Sequence, residues 1–173
     1  TYGHPLFVSS STAVTSLGTE ARTSDGRRFR YALCGSTATV AGSLYQSAAT
    51  LTNHDNLATA AAAIGAISVT VTLGNTAVTA NQYAGGLLTI DTTPGLGYAY
   101  PIVGHAAIAA STNGILKLAM PIQVVLSTSS RVTLMTNAYD GVIQHPVTTA
   151  TGVCVGGCVY PIAASEFGWI QTG

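Results

Sequence analysis

The sequence predicts an all-β fold, a compact sandwich or barrel-like domain of short antiparallel strands, and three observations predict it. Apolar and polar residues alternate strictly over Ile67-Ser68-Val69-Thr70-Val71-Thr72-Leu73, the period of a strand with one face buried. Turn-forming groups such as Gly74-Asn75, Thr93-Pro94-Gly95 and Thr112-Asn113-Gly114 punctuate the chain, cutting it into short segments roughly ten to fifteen residues apart. Of the 173 residues, 25 are Thr, a side chain that suits a half-exposed pleated surface.

Residues 1–20 read as an extended N-terminal arm. From Phe7 to Thr19 the chain is rich in Ser and Thr and holds few large apolar side chains, so it becomes ordered on a neighbouring subunit or remains a loosely packed terminus. Residues 21–173 read as a single β-rich domain, since no long linker and no fixed-period repeat interrupts them. Its one exception to β structure is Leu57 to Ile64, an Ala-rich run after His54-Asp55-Asn56. Asp55 or Asn56 would cap at most one short helix near 56–64, although Ala in series also suits a close-packed extended segment. Beyond Ile67–Leu73, the expected strands are Leu87 to Ile90, Tyr98 to Val103, Ile115 to Leu118, Val132 to Met135, Gly141 to Ile143, Val159 to Ile162 and Phe167 to Ile170.

Charge separates this chain from ordinary domains. It carries 6 basic and 6 acidic residues, 7% in all, with net charge zero and 47% hydrophobic content, against roughly 25% charged residues in typical soluble domains. A globule of this mass exposes about 7,900 Å², so charged groups fall about one per 650 Å² even if all lie outside. Chains without mutual repulsion associate, and the expectation is a surface largely covered by other subunits. A basic excess able to displace counterions from phosphates is missing, which argues against nucleic acid as a partner. Apolar runs such as Ala60–Ile64 and Val124–Leu126 fall far short of about 20 residues, which argues against a membrane-spanning helix. No basic-then-apolar leader pattern is visible at Thr1.

Catalysis needs converging titratable groups, and they are few. The acids are Glu20, Asp25, Asp55, Asp91, Asp140 and Glu166, and the histidines are His4, His54, His105 and His145. His54 and Asp55 are neighbours, yet successive residues of an extended chain face opposite ways. Ser is abundant without a Gly-x-Ser-x-Gly elbow. The chain is expected to be no enzyme, with no catalytic residue, cofactor or metal. Cys154-Val155-Gly156-Gly157-Cys158 is the sole paired-cysteine spacing; it reads as a tight turn with thiols as small apolar fillers, with a bridge or a metal site completed by Cys34 or His145 as alternatives.

Four of the six basic residues, Arg22, Arg27, Arg28 and Arg30, lie within nine positions. On a strand Arg28 and Arg30 share a face opposite Arg27, Phe29 and Tyr31. Arg27, Arg28 and Arg30 are the candidate partner-binding residues, a docking edge for an acidic protein surface. The alternatives are a solvated edge strand that discourages unwanted pairing and a phosphate site. Trp169, the single Trp, reads as a core or interface anchor rather than a sugar platform; the other glycan candidate is the region of Asn137, Tyr139 and Asp140.

The segments Asp25-Gly26-Arg27-Arg28-Phe29-Arg30-Tyr31-Ala32, Val40-Ala41-Gly42-Ser43-Leu44-Tyr45-Gln46, Ser68-Val69-Thr70-Val71-Thr72-Leu73-Gly74 and Phe167-Gly168-Trp169-Ile170-Gln171-Thr172 resemble virion structural proteins of tailed bacteriophages. The similarity is to small head decoration, or cement, proteins. The resemblance implies a non-enzymatic protein on the outer surface of the capsid that binds and reinforces the lattice of the major capsid protein, often as a homotrimer. Two other classes follow from the residues alone: a self-assembling shell or filament subunit, and a carbohydrate-binding adhesive module on a tail or cell surface.

Overall fold

The computed structural model describes residues 5–173, and it is all-β: twelve strands and, among the described residues, no helix. All strand pairings are antiparallel. The chain divides into two compact units, one of residues 50–136 and the other made of the described residues up to Ala49 together with Asn137–Gly173. The boundaries fall inside the stretch read above as one domain.

The first unit is a six-stranded sheet of β1 (Glu20–Arg22), β2 (Arg28–Leu33), β3 (Leu44–Gln46), β10 (Ile143–Gln144), β11 (Cys154–Gly157) and β12 (Phe167–Gln171), in the order β1-β2-β12-β11-β3-β10. Its centre is buried on both faces. Phe29, Tyr31 and Trp169 line one face, with Trp169 opposite Tyr31 in register and their rings 5.0 Å apart. Ala32 and Ile170 line the other, against Cys34, Tyr45, Val142 and Ile162. The segment read as an arm supplies the cover that the aromatic face needs: Leu6 and Leu17 pack on it. Phe7 meets Phe29 edge-on, and Ser10 exchanges both backbone hydrogen bonds with Phe167. The described part of the arm thus lies against aromatic rings of its own chain; residues 1–4 of that expected arm lie outside the described residues.

The second unit is a closed barrel, β4 (Leu57–Thr59), β5 (Ser68–Thr72), β8 (Asn113–Leu118), β7 (Ala99–His105), β6 (Leu87–Ile90) and β9 (Arg131–Met135), in that order around the ring. Closure leaves no free edge. Alternation decides which side chains go in: Val69 and Val71 of β5, Leu116 and Leu118 of β8, Leu88 and Ile90 of β6, and Val132 and Leu134 of β9 are all buried in one core. Ser68, Thr70 and Thr72 face out. Side chains fill the interior, as a barrel of this size requires.

One alternative left open by the sequence is decided and one expectation is corrected. The Ala-rich stretch does not coil: Leu57–Thr59 is β4, paired with both β5 and β9, and Ala62 bridges to Leu126 farther on. A two-turn helix saves too few hydrogen bonds to compete with closing the ring. Val159 to Ile162 forms no strand. The nearby strand is Cys154–Gly157, paired with β3 through a register shift between Cys154 and Gly156.

Candidate functional site: the loop end of the barrel

The arginine cluster falls on β1, β2 and the turn between them, at the edge of the sheet. Most of its charge is engaged within the chain. Arg27 Nε donates to Asp25 Oδ2 at 2.8 Å, and its guanidinium lies over the Phe29 ring. Arg30 donates to Glu20 Oε2 at 3.0 Å and to the Gly18 carbonyl at 2.7 Å; Arg22 pairs with Glu20 as well. Hydrogen bonding by Arg22, followed by the charges of Arg22, Arg30 and Arg28, lowers the Glu20 carboxyl below its ordinary range. Thr23 and then Arg27 do the same for Asp25. Among the described residues, Arg28 alone of the three candidate contact residues makes no ion pair. It is exposed and sits opposite Arg22 in register.

Among the described residues, His54 and His105 come together on Tyr83. His54 is fully buried and turns into the barrel base, while Asp55 faces solvent. Its Nε2 donates to the Thr76 carbonyl at 2.9 Å, which leaves Nδ1 to accept from the Tyr83 hydroxyl at 2.5 Å. His105 Nδ1 donates to the Ala106 carbonyl, and its Nε2 accepts the Tyr83 backbone N–H at 3.1 Å. Both rings are therefore structural braces for Tyr83. Among the described residues, no three His, Cys, Asp or Glu side chains group into a metal-binding set. No helix there is long and apolar enough to cross a membrane. The three cysteines are unbridged, with Cys34 and Cys158 buried and Cys154 exposed. Trp169 is buried, and Tyr139 packs partly into the core with Asn137 Oδ1 accepting its backbone N–H.

Of the large apolar side chains that the barrel exposes, six gather at one end, while Leu87, Val103, Ile115 and Met135 lie on its strands. Because the strands run antiparallel, the loops β4–β5 (60–67), β6–β7 (91–98) and β8–β9 (119–130) all emerge at the end opposite Thr50 and Thr136, where the chain enters and leaves the unit. The three loops are laced together. Ala62 and Leu126 exchange backbone bonds, Gly65 and Ala66 pair with Ile122, and Ser130 Oγ donates to the Pro94 carbonyl. Gly95 adopts φ +96° directly beside the Leu126 side chain, where a Cβ would lie 2.9 Å from it; only glycine lets this close approach combine with that backbone.

On this platform Ile64, Ile67, Leu96, Tyr98, Met120 and Val125 project outward, with exposures of 68, 66, 62, 39, 42 and 53%. The loops contain one charged residue, Asp91, at the margin. Arg131 follows immediately, and its backbone carbonyl accepts the Asp91 N–H.

No family model, curated protein or solved structure matches this chain.

Its chemistry is therefore read from its own surface. A braced apolar platform of this kind offers desolvation on contact. The sequence left this site undetected because its parts are three loops separated by whole strand pairs. Only the uncharged run 60–67, which overlaps the end of the Ala-rich stretch 57–64, and the unusually apolar turn at 119–126 signal it.

Proposed function

We propose that this chain is a non-enzymatic structural protein of a virion, a decoration protein that binds the outside of a major capsid protein lattice and reinforces it. The observation that carries the reading is the uncharged, rigidly laced apolar end of a barrel whose interior is already filled. A surface of that kind is stable in water only at a cost that a protein contact removes. The resemblance of the β2, β5 and β12 segments to head decoration proteins supports the same partner. Arg28, exposed and unpaired in the sheet edge, is the side chain best placed for an acidic surface on the lattice.

The test is to add purified protein to shells of the candidate capsid protein that lack it, then to measure co-sedimentation and shell melting. Saturable binding with a raised shell melting temperature is expected, weakened several-fold by Arg28→Glu. Shells that neither bind the chain nor gain stability would overturn the proposal. The shell or filament subunit is the second reading, favoured by the open edge of the sheet at β10, where Ile143 is exposed; open-ended polymers of the pure chain would establish it. Of the two glycan candidates, Trp169 is enclosed in the core, while Asn137, Tyr139 and Asp140 are each partly exposed.

A further inference from the structure

We propose that Arg22 and Arg28, facing each other across the hairpin of β1 and β2, bind a tetrahedral oxyanion, the phosphate or sulfate group of a ligand. The site belongs to the free chain, so it goes beyond the capsid reading and stands or falls separately from it.

Register is the first reason. Arg22 lies directly opposite Arg28, and Glu20 directly opposite Arg30. The Thr23 N–H donates to the Arg27 carbonyl, which makes residues 23 and 27 a hydrogen-bonded pair. By alternation, 22 with 28 and 20 with 30 are pairs of the closer kind, with Cα atoms about 4.5 Å apart and side chains on one face. Glu20 with Arg30 joins opposite charges there. Arg22 with Arg28 sets two guanidinium groups together, which costs the bare hairpin stability and which an anion between them relieves.

The supply of acceptors is the second reason. One acid, Glu20, stands against Arg22, Arg28 and Arg30, and both of its oxygens are taken: Oε1 by Arg22 Nε and Oε2 by Arg30 Nη2. Asp25 is engaged by Thr23 and Arg27. The Gly173 carbonyl accepts the backbone N–H of Arg28, and among the described residues no ion pair reaches the Arg28 guanidinium. Arg28 is exposed, and the Arg22 side chain is 59% exposed with its Nη groups turned to no described partner. A single guanidinium fork satisfies both oxygens of a carboxylate. Two forks side by side offer more donors than a planar carboxylate accepts, whereas a phosphate or sulfate group has oxygens enough to bridge both.

The experiment is calorimetric titration of the full chain with inorganic phosphate, with sulfate and with acetate, at one low ionic strength so that the charges are not screened. Thermal melting in each anion and far-UV circular dichroism accompany it. Phosphate or sulfate is expected to bind saturably at one site per chain, with acetate at least about tenfold weaker; the tighter of the two tetrahedral ions identifies the group that the ligand carries. Arg22→Gln and Arg28→Gln should each weaken that binding at least about tenfold, while Lys117→Gln, on the exposed side of β8 in the barrel, should bind as wild type does. Arg28→Gln should also melt higher than wild type in the absence of the anion, since it removes a like-charge pair, and should lose the further rise that the anion gives wild type. A wild type with no saturable binding of either tetrahedral ion overturns the proposal. Binding that both arginine variants retain overturns it by placing the anion elsewhere, and acetate bound as tightly as phosphate and sulfate overturns the tetrahedral site. A chain that binds the anion and ignores capsid shells keeps this site while losing the function proposed above, and one that binds shells but no anion does the reverse.

Discussion

Tyr83 is the side chain on which the base of the barrel closes. It is fully buried among Leu88, Ile102 and Leu134 in the same core. Its hydroxyl donates to His54 and its backbone N–H to His105. Burial pushes the phenol up to about 12 from 10, because a phenolate there would lose its water. The folded form therefore holds its proton after the unfolded chain has released it. This contribution is fully present below pH 10 and is lost as pH rises from 10 toward 12, by about 3 kcal/mol in all. Denaturant titrations at pH 8 and pH 11.5 should show about 2 kcal/mol of that loss in wild type and a smaller one in Tyr83→Phe. At neutral pH the same substitution strips His54 Nδ1 of its donor and is expected to cost about 1–3 kcal/mol. Equal pH profiles for the two proteins would mean that Tyr83 is not held as described.

The strands differ in how plainly the sequence announces them, and length is part of the reason, although the six-residue β2 is signalled only through its arginines and the two-residue β10 was expected, at Gly141 to Ile143. β5, β6, β7, β8, β9 and β12 have four to seven residues, enough for alternation to show, and they were expected within two residues of where they lie. β3 and β4 have three residues each, too few for a period of two to declare itself. β4 was further masked by alanines, which carry little bias toward either face. β11 hid behind its glycines: Gly156 takes φ +142° at the register shift, with the Gln171 carbonyl against the place a Cβ would occupy, so the Gly-Gly that suggests a turn is a bulge within a strand. The bulge also settles how the cysteine pair is presented, one thiol at each end of the strand and on different sides of the surface. Cys154 is exposed; Cys158 is buried, with its thiol beside Thr39 and the Tyr160 carbonyl. Cys34 is buried too, and desolvation pushes its thiol up, making it a poor nucleophile. A disulfide reagent should therefore titrate one thiol in the native protein and three after denaturation without reductant. A single thiol in the denatured chain would reveal a bridge between two of them.

At the scale of the molecule, the two units are written into the chain in different ways. The barrel is continuous: every strand of its ring and every buried residue of its core lies between Leu51 and Met135. The sheet is split, and its halves interleave. β2 pairs with β12, and β3 pairs with both β10 and β11, so neither the segment before the barrel nor the one after it holds a complete set of partners. This organisation could not be read from the sequence, because the boundaries at 49/50 and 136/137 carry no linker composition. Thr and Ala run through both, and the pairings that decide the matter span more than a hundred positions. Folding autonomy should follow the same division. Residues 50–136 expressed alone are expected to unfold cooperatively and to protect the amides of β5 and β8 from exchange, since a closed ring with its own filled core leaves no edge unpaired. Residues 1–49 alone should show no cooperative transition, because β2 and β3 lack β12 and β11. They should acquire one when mixed with residues 137–173, which restore those ladders. An isolated barrel segment without exchange protection would show that its closure depends on the sheet, and would undo the division into a continuous unit inserted in a split one.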